Sequence, residues 1–165
     1  MSGEAAPGEK LPGSFHAKQS VRLWLRLLSC SMTVEGAVRS RLRSEFDTTL
    51  PRFDVMAALE RAPDGLTMTA LAEHLLVSNG NVTGLVQRMT QDGLAERRAV
   101  AGDKRSQRVM LTARGRAAFA RMAAAHERWI DEMFGGLTDA EAEQLRGLLG
   151  KLHRTMEGRT DDERR

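Results

Sequence analysis

The chain has 165 residues, 41% of them hydrophobic and 28% charged, and a net charge of +3. That length holds one compact domain, or a small domain with appended helices. A single cysteine, Cys30, excludes an internal disulfide framework and fits a reducing cytosol. No apolar run reaches the roughly 20 residues of a membrane span, and the first residues carry no apolar segment of a secretory signal, so a cytoplasmic protein is expected.

Residues 1–16 hold Gly and Pro without apolar periodicity and are expected to form a flexible arm. A long helix is predicted from about Lys18 to Phe46, because Val21, Trp24, Leu25, Leu28, Met32, Val38, Leu42 and Phe46 recur at spacings of three and four. Arg22, Arg26, Arg39, Arg41 and Arg43 take its other side. Pro51 opens a second helix with Phe53, Met56 and Leu59 inward, and Ala62-Pro63-Asp64-Gly65 ends it. Thr67 is placed to cap a short third helix with Leu71, Ala72 and Leu75 inward, and Ser78 to cap a fourth. Gly93 stops that fourth helix.

Two short strands are expected at Leu94–Val100 and Gln107–Thr112, joined by a basic tip longer than a two-residue turn. A helix then resumes from Ala113 to about Phe134, with Phe119, Met122, His126, Trp129, Ile130 and Met133 near one face. Gly135-Gly136 breaks it. Thr138 and Glu141 form a capping box for a last helix carrying Leu145, Leu148, Leu149, Leu152 and Met156. The charged tail from Gly158 onward is expected to fray. The predicted fold is mainly α with a small β-hairpin wing. It divides into a 1–16 arm, a 17–50 dimerisation helix, a 51–112 winged helix-turn-helix DNA-binding module and 113–160 C-terminal dimerisation helices.

The fourth helix carries the most specific signal. On a wheel of 100° per residue, Val82, Leu85, Val86 and Met89 form the buried side. Gly80, Gly84, Gln87 and Gln91 lie opposite, with Thr83 and Arg88 on the shoulders. Each outward glycine costs roughly 1 kcal/mol against alanine. Close approach to another surface, such as a major-groove floor, is a physical reason to keep them. Gln87 suits adenine and Thr83 a thymine methyl. At the hairpin tip, Lys104 and Arg105 have the charge to enter a minor groove, with Asp103 holding Arg105. The full DNA-facing set is Thr67, Thr69, Ser78, Asn79, Gly80, Asn81, Thr83, Gly84, Gln87, Arg88, Asp103, Lys104 and Arg105. Arg97, Arg98 and Arg108 are further candidates for phosphate contacts. The competing reading of each group is an ordinary solvated surface.

From Leu71 to Gly115 the chain resembles the MarR family of bacterial transcriptional regulators. The resemblance rests on Leu71-Ala72, Val77-Ser78, Val82-Thr83, Leu85-Val86, Arg88, Gly93-Leu94, Asp103 and Arg105, and Leu111, Thr112 and Gly115. The helix order on both sides matches as well. It implies a homodimer with intertwined terminal helices, two winged modules and a palindromic double-stranded DNA operator. The segment Leu50-Pro51-Arg52-Phe53-Asp54 resembles a branch that controls aromatic-acid catabolism, with effectors that are aromatic acids or their CoA thioesters.

By that resemblance an effector site is expected among Trp24, Leu28, Met32, Phe53, Met56, His126 and Trp129, with ordinary core or dimer packing as the alternative for each. Arg22, Arg26, Arg39 or Arg52 would meet its carboxylate or phosphate. The expected function is a repressor released by such a ligand. The alternatives are an architectural protein that coats DNA without sequence preference and a redox-sensing regulator acting through Cys30. No metal site is expected from the scattered His16, His74, His126 and His153, no cofactor is implied, and no nucleophile–base pair or phosphate-cradling glycine loop suggests an enzyme.

Overall fold

A computed structural model describes residues 15–75, 79–100 and 103–162, with side chains for 18–75, 80–99 and 107–157. Six helices and one hairpin follow in the order α1 (Phe15–Phe46), α2 (Leu50–Glu60), α3 (Met68–Leu75), α4 (Asn79–Gln91), β1 (Ala95–Val100), β2 (Asp103–Leu111), α5 (Ala113–Phe134) and α6 (Asp139–Asp162). The chain separates into two compact units, one ending at His126 and one beginning at Glu127.

In the first unit, α2 supplies the centre of the core. Phe53, Val55, Met56, Ala58 and Leu59 are all buried. Around them lie Val38 and Leu42 of α1, Leu71 and Ala72 of α3, Val82, Val86 and Met89 of α4, and Val109 and Leu111 of β2. Leu75 and Leu85, expected inside, are half-buried. Pro51 sits in the first turn of α2, where its missing N–H is an orphan in any case.

Local chemistry fixes the ends. Gly65 adopts φ +77°, and a Cβ there would meet the Val109 carbonyl oxygen at 2.6 Å. That proximity lets Leu66 and Val109 exchange two main-chain hydrogen bonds, of 3.0 and 2.8 Å, which tie the start of α3 to the hairpin. At the end of α4, the Leu94 N–H donates to the Met89 carbonyl (2.9 Å) and the Gly93 N–H to that of Thr90 (3.0 Å). With Gly93 at φ +69° this is a Schellman stop. The Thr112 hydroxyl then donates to the Gly93 carbonyl (2.7 Å) and accepts from the Gly115 N–H (3.0 Å), so one side chain both caps α5 and clamps the end of α4.

Two expectations need correction. The strand expected at Gln107–Thr112 begins instead at Asp103. Pairing is regular from Ala95↔Leu111 to Ala99↔Gln107 and then shifts, so that Val100 opposes Asp103. Lys104 and Arg105 therefore lie in the register-shifted part of β2 and not in the turn. Residues 101–102, between the two strands, lie outside the described residues. Helix α6 likewise continues to Asp162, into the charged tail expected to fray.

In the second unit the Thr138 hydroxyl caps α6, accepting from the Glu141 N–H at 3.3 Å, and both the hydroxyl and the N–H of Thr138 donate to Glu141 Oε2 (2.8 and 2.9 Å). These bonds hold the Glu141 carboxyl below its ordinary range, the backbone bond most of all. Leu148 and Met156 are more than half exposed, and Leu145, Leu149 and Leu152 are exposed to a lesser degree.

Candidate nucleic-acid interface

Helix α4 presents two unlike sides. Val82, Val86 and Met89 are fully buried, while Gly80, Asn81, Thr83, Gln87, Arg88 and Gln91 are exposed and Gly84 is half-exposed. A Cβ added at Gly80 or Gly84 would meet nothing within 4 Å. At Gly65 and Gly115 it would strike main-chain atoms. Packing within this chain therefore demands glycine at Gly65 and Gly115 and leaves Gly80 and Gly84 unexplained. Their effect is a smooth strip along the outer face of α4, flanked by the longer polar side chains of Gln87 and Arg88.

The helix is held at its inner end. An ion pair joins Arg52 of α2 to Asp92, just past the end of α4. Together with the Schellman stop and the Thr112 clamp, it fixes α4 against α2 and the start of α5.

The remaining members of the predicted DNA-facing set fall in three environments. Thr67 is half-buried, and its hydroxyl accepts from the Ala70 N–H at 3.2 Å, as a helix cap does. Thr69 is exposed on α3, and the backbone of Asn79 opens α4. Ser78, its expected cap, lies outside the described residues. Asp103, Lys104 and Arg105 belong to β2 by backbone, but their side chains lie outside the described set, and with them the expected Asp103–Arg105 contact.

Of the three strand arginines, Arg97 is exposed and Arg98 is exposed but pairs with Glu96 at 2.6 Å. Arg108 departs from expectation. Its guanidinium donates to the Gly65 carbonyl at 2.8 Å, which braces the wing, while the residue stays exposed.

Within the first unit, the expected effector residues come together only in part. Phe53 and Met56 are buried, and the Phe53 ring lies 5.1 Å from His126 and 5.5 Å from Phe119. Trp129 is buried as well. Trp24, Leu28 and Met32 are exposed instead, because only the second half of α1, from Val38, reaches the core around α2. Leu28 and Met32 line only an open depression of about 400 Å³ on the surface of α1. One residue beside the aromatic cluster carries a signal that periodicity missed. Burial pushes the Asp54 carboxyl above its ordinary value, Glu35 adds to the rise and His126 opposes it. Cys30 is exposed. Among the described residues, no helix is long and apolar enough to cross a membrane.

Comparison with known proteins bears on this geometry. A MarR family model matches residues 46–106, from the end of α1 to the hairpin. A MarR family transcriptional regulator from Silicibacter pomeroyi has a similar structure, with 34% identity and a TM-score of 0.73, covering 87% of this chain and 99% of that one. Transcriptional regulator HosA of Escherichia coli is 31% identical over 109 residues, which are 66% of this chain and 80% of that protein. A cysteine-to-serine mutant of MarR from E. coli, complexed with operator DNA, is similar as well. It is 25% identical with a TM-score of 0.71, covering 84% of this chain and 99% of that one.

Proposed function

The chain belongs to the MarR family of transcriptional regulators, and from that membership we propose that it is a homodimeric repressor that reads a palindromic operator and is released by a small aromatic acid or its CoA thioester. Residues 17–50 and 113–160 join the two copies, and each 51–112 module offers its α4 to a major groove. Half-sites centred one helical turn apart, about 34–36 Å, are the spacing such a dimer reads.

The observation that carries the DNA reading is the outer face of α4. Gly80 and Gly84 face open space, where alanine would favour the helix. With no side chain there, the helix axis approaches the groove floor closely enough for Thr83 and Gln87 to reach base edges. Asn79, Asn81, Arg88 and Thr69 contact the flanking backbone, with Ser78 and Thr67 at the helix starts. Lys104 and Arg105 reach the adjacent minor groove, Asp103 orienting Arg105.

Release follows from differential affinity. An effector that favours the arrangement unable to span both half-sites lowers operator affinity by the ratio of its two affinities. Phe53, Met56 and His126 form the apolar side of that effector site in this reading, and Trp24, Leu28 and Met32 join it once a second copy covers α1.

The test is a pair of binding curves for Gln87→Ala, on operator and on random duplex of equal length. The expected result is a loss of about 1–3 kcal/mol on operator with little change on random DNA. An equal loss on both places Gln87 on phosphate. A wild-type preference near one for operator over random duplex replaces the repressor with a coating protein.

A further inference from the structure

Where α1 meets the start of α2, the surface folds into an open depression of about 510 Å³. Arg39, Ser40 and Arg43 form its α1 wall, and Thr48, Thr49 and Pro51 close the opposite side. None of the residues that line it is acidic.

The Ser44 hydroxyl in its lining donates to the Arg41 carbonyl at 3.3 Å, but several of its other polar groups are uncommitted among the described residues. Thr48 is the buried polar residue of the described core, only 8% exposed. Its N–H donates to the Leu42 carbonyl at 3.2 Å, while its hydroxyl has no hydrogen bond among the described residues. No fully enclosed side-chain polar atom is orphaned among the described residues, so this hydroxyl meets solvent through the depression it lines. Thr49 is the N-cap of α2, yet its hydroxyl makes no capping bond. Pro51 has no N–H, and those of Arg52 and Phe53 already donate to the Thr49 carbonyl (3.1 and 3.0 Å). The Leu50 N–H thus remains as the open main-chain donor at this helix start. Of the two arginines, Arg39 pairs with Glu35, whereas Arg43 has no ion-pair partner among the described residues.

We propose that this depression is a binding site for a small oxyanion, a phosphate or a carboxylate head group. The Arg43 guanidinium supplies the charge and the planar fork that matches either group. The Thr48 and Thr49 hydroxyls and the Leu50 N–H supply neutral donors, at the positive end of the α2 dipole. Leu50 and Pro51 offer an apolar wall to any organic body attached to the anion. The volume lies within the range of about 300–1,000 Å³ typical of small-molecule sites. The residue after Pro51 is Arg52, whose ion pair with Asp92 holds the end of α4, so an occupant sits beside a link to the DNA-facing helix. The site is distinct from the Phe53–His126 aromatic cluster, and binding to it stands whether or not a ligand releases DNA.

The experiment is calorimetric titration of the full DNA-free chain with inorganic phosphate and, separately, with butyrate, a carboxylate without the aromatic ring of the proposed effector, in chloride buffer of constant ionic strength. Saturable binding of either anion is expected, at one site per chain. Binding of phosphate alone identifies a phosphorylated or inorganic source, and binding of butyrate identifies an organic acid. Arg43→Gln, an exposed position whose change leaves the fold intact, is expected to weaken the bound anion at least tenfold. Thr48→Val, nearly isosteric, is expected to weaken it at least threefold with an unchanged melting temperature. Arg61→Gln, exposed at the far end of α2, is expected to change nothing. The site is refuted if neither anion binds the wild type, or if Arg43→Gln and Arg61→Gln bind alike.

Discussion

The winged module and the first half of α1 treat their apolar residues in opposite ways. In the module, Val55, Met56, Leu71, Val82, Val86, Met89 and Val109 are buried to within 1%. Dedicated main-chain contacts at Gly65, Gly93 and Gly115 hold the pieces together. In α1, Val21, Leu23, Trp24, Leu25 and Met32 are all more than half exposed. A chain satisfied on its own would not place that much apolar side chain in water, since contiguous patches of this kind mark interaction surfaces. The module is complete within one chain, and the helix is not. The α6 face, with Leu148 and Met156 exposed, has the same character.

The largest effect we expect comes from breaking the complete half. A Cβ on Gly115 would lie 1.9 Å from the Leu94 carbonyl oxygen and 2.9 Å from its carbon, both main-chain atoms that cannot rotate away. Leu94 is also the last link of the α4 stop and accepts from the Thr112 N–H. Gly115→Ala should therefore destabilise by about 3 kcal/mol or more, at the upper end of overpacking costs, as read by urea unfolding. Gly84→Ala provides the contrast. Nothing surrounds that position, so the same measurement should show a gain of up to about 1 kcal/mol from helix propensity, alongside weaker operator binding. A stable Gly115→Ala would mean that the α4–α5 junction has slack and that the module is not the rigid half.

The incomplete half is probed by charge. Leu148→Glu places a carboxylate on an exposed α6 surface, where a lone chain should tolerate it. Across an interface between two copies it would be desolvated. A central interface position is worth roughly 2 kcal/mol or more, so self-association should weaken about 30-fold or further, measured by sedimentation across a dilution series. Unchanged association would remove α6 from the interface and leave α1 to carry it.

The contrast between the halves also explains what the sequence made legible. Helix ends were readable because their signals are local: Pro51 at the start of α2, Thr67 as a cap, Gly93 as a stop, and Thr138 with Glu141 as a box. The outer face of α4 was readable because its period fixes which residues turn inward, and the rest follows by subtraction. Long-range contacts were not readable. Arg108 meets the Gly65 carbonyl across 43 residues, and nothing near Arg108 distinguishes it from Arg97. The register shift in β2 depends on how a hairpin closes, which a run of polar residues does not specify. Trp24 and Phe53 looked alike as apolar helix positions, yet only Phe53 reaches the core. The depression between α1 and α2 was not legible, because Arg43 read only as one of several arginines on the far side of α1 and Thr48 carried no signal of its own.

The smallest expected effect tests whether the module is as settled as its burial suggests. Asp54 sits among buried residues on α2, and desolvation, reinforced by Glu35 and opposed by His126, raises its carboxyl above the ordinary value of 3.8. The folded state thus binds this proton more tightly than the unfolded chain does. Stability from this group is greatest below the unfolded value and falls as pH rises through the raised folded value. Above that, a constant penalty remains, because the ionised carboxylate is held where water is partly excluded. Asp54→Asn removes the ionisation while keeping the shape. It should raise the melting temperature slightly at pH 7, with the gain shrinking on acidification and vanishing near or below pH 3.8. Melting curves of both proteins across that range decide it. A gain that persists at low pH would assign the effect to packing or hydrogen bonding. A loss at neutral pH would show that the Asp54 carboxylate holds α2 through His126, with attraction outweighing desolvation.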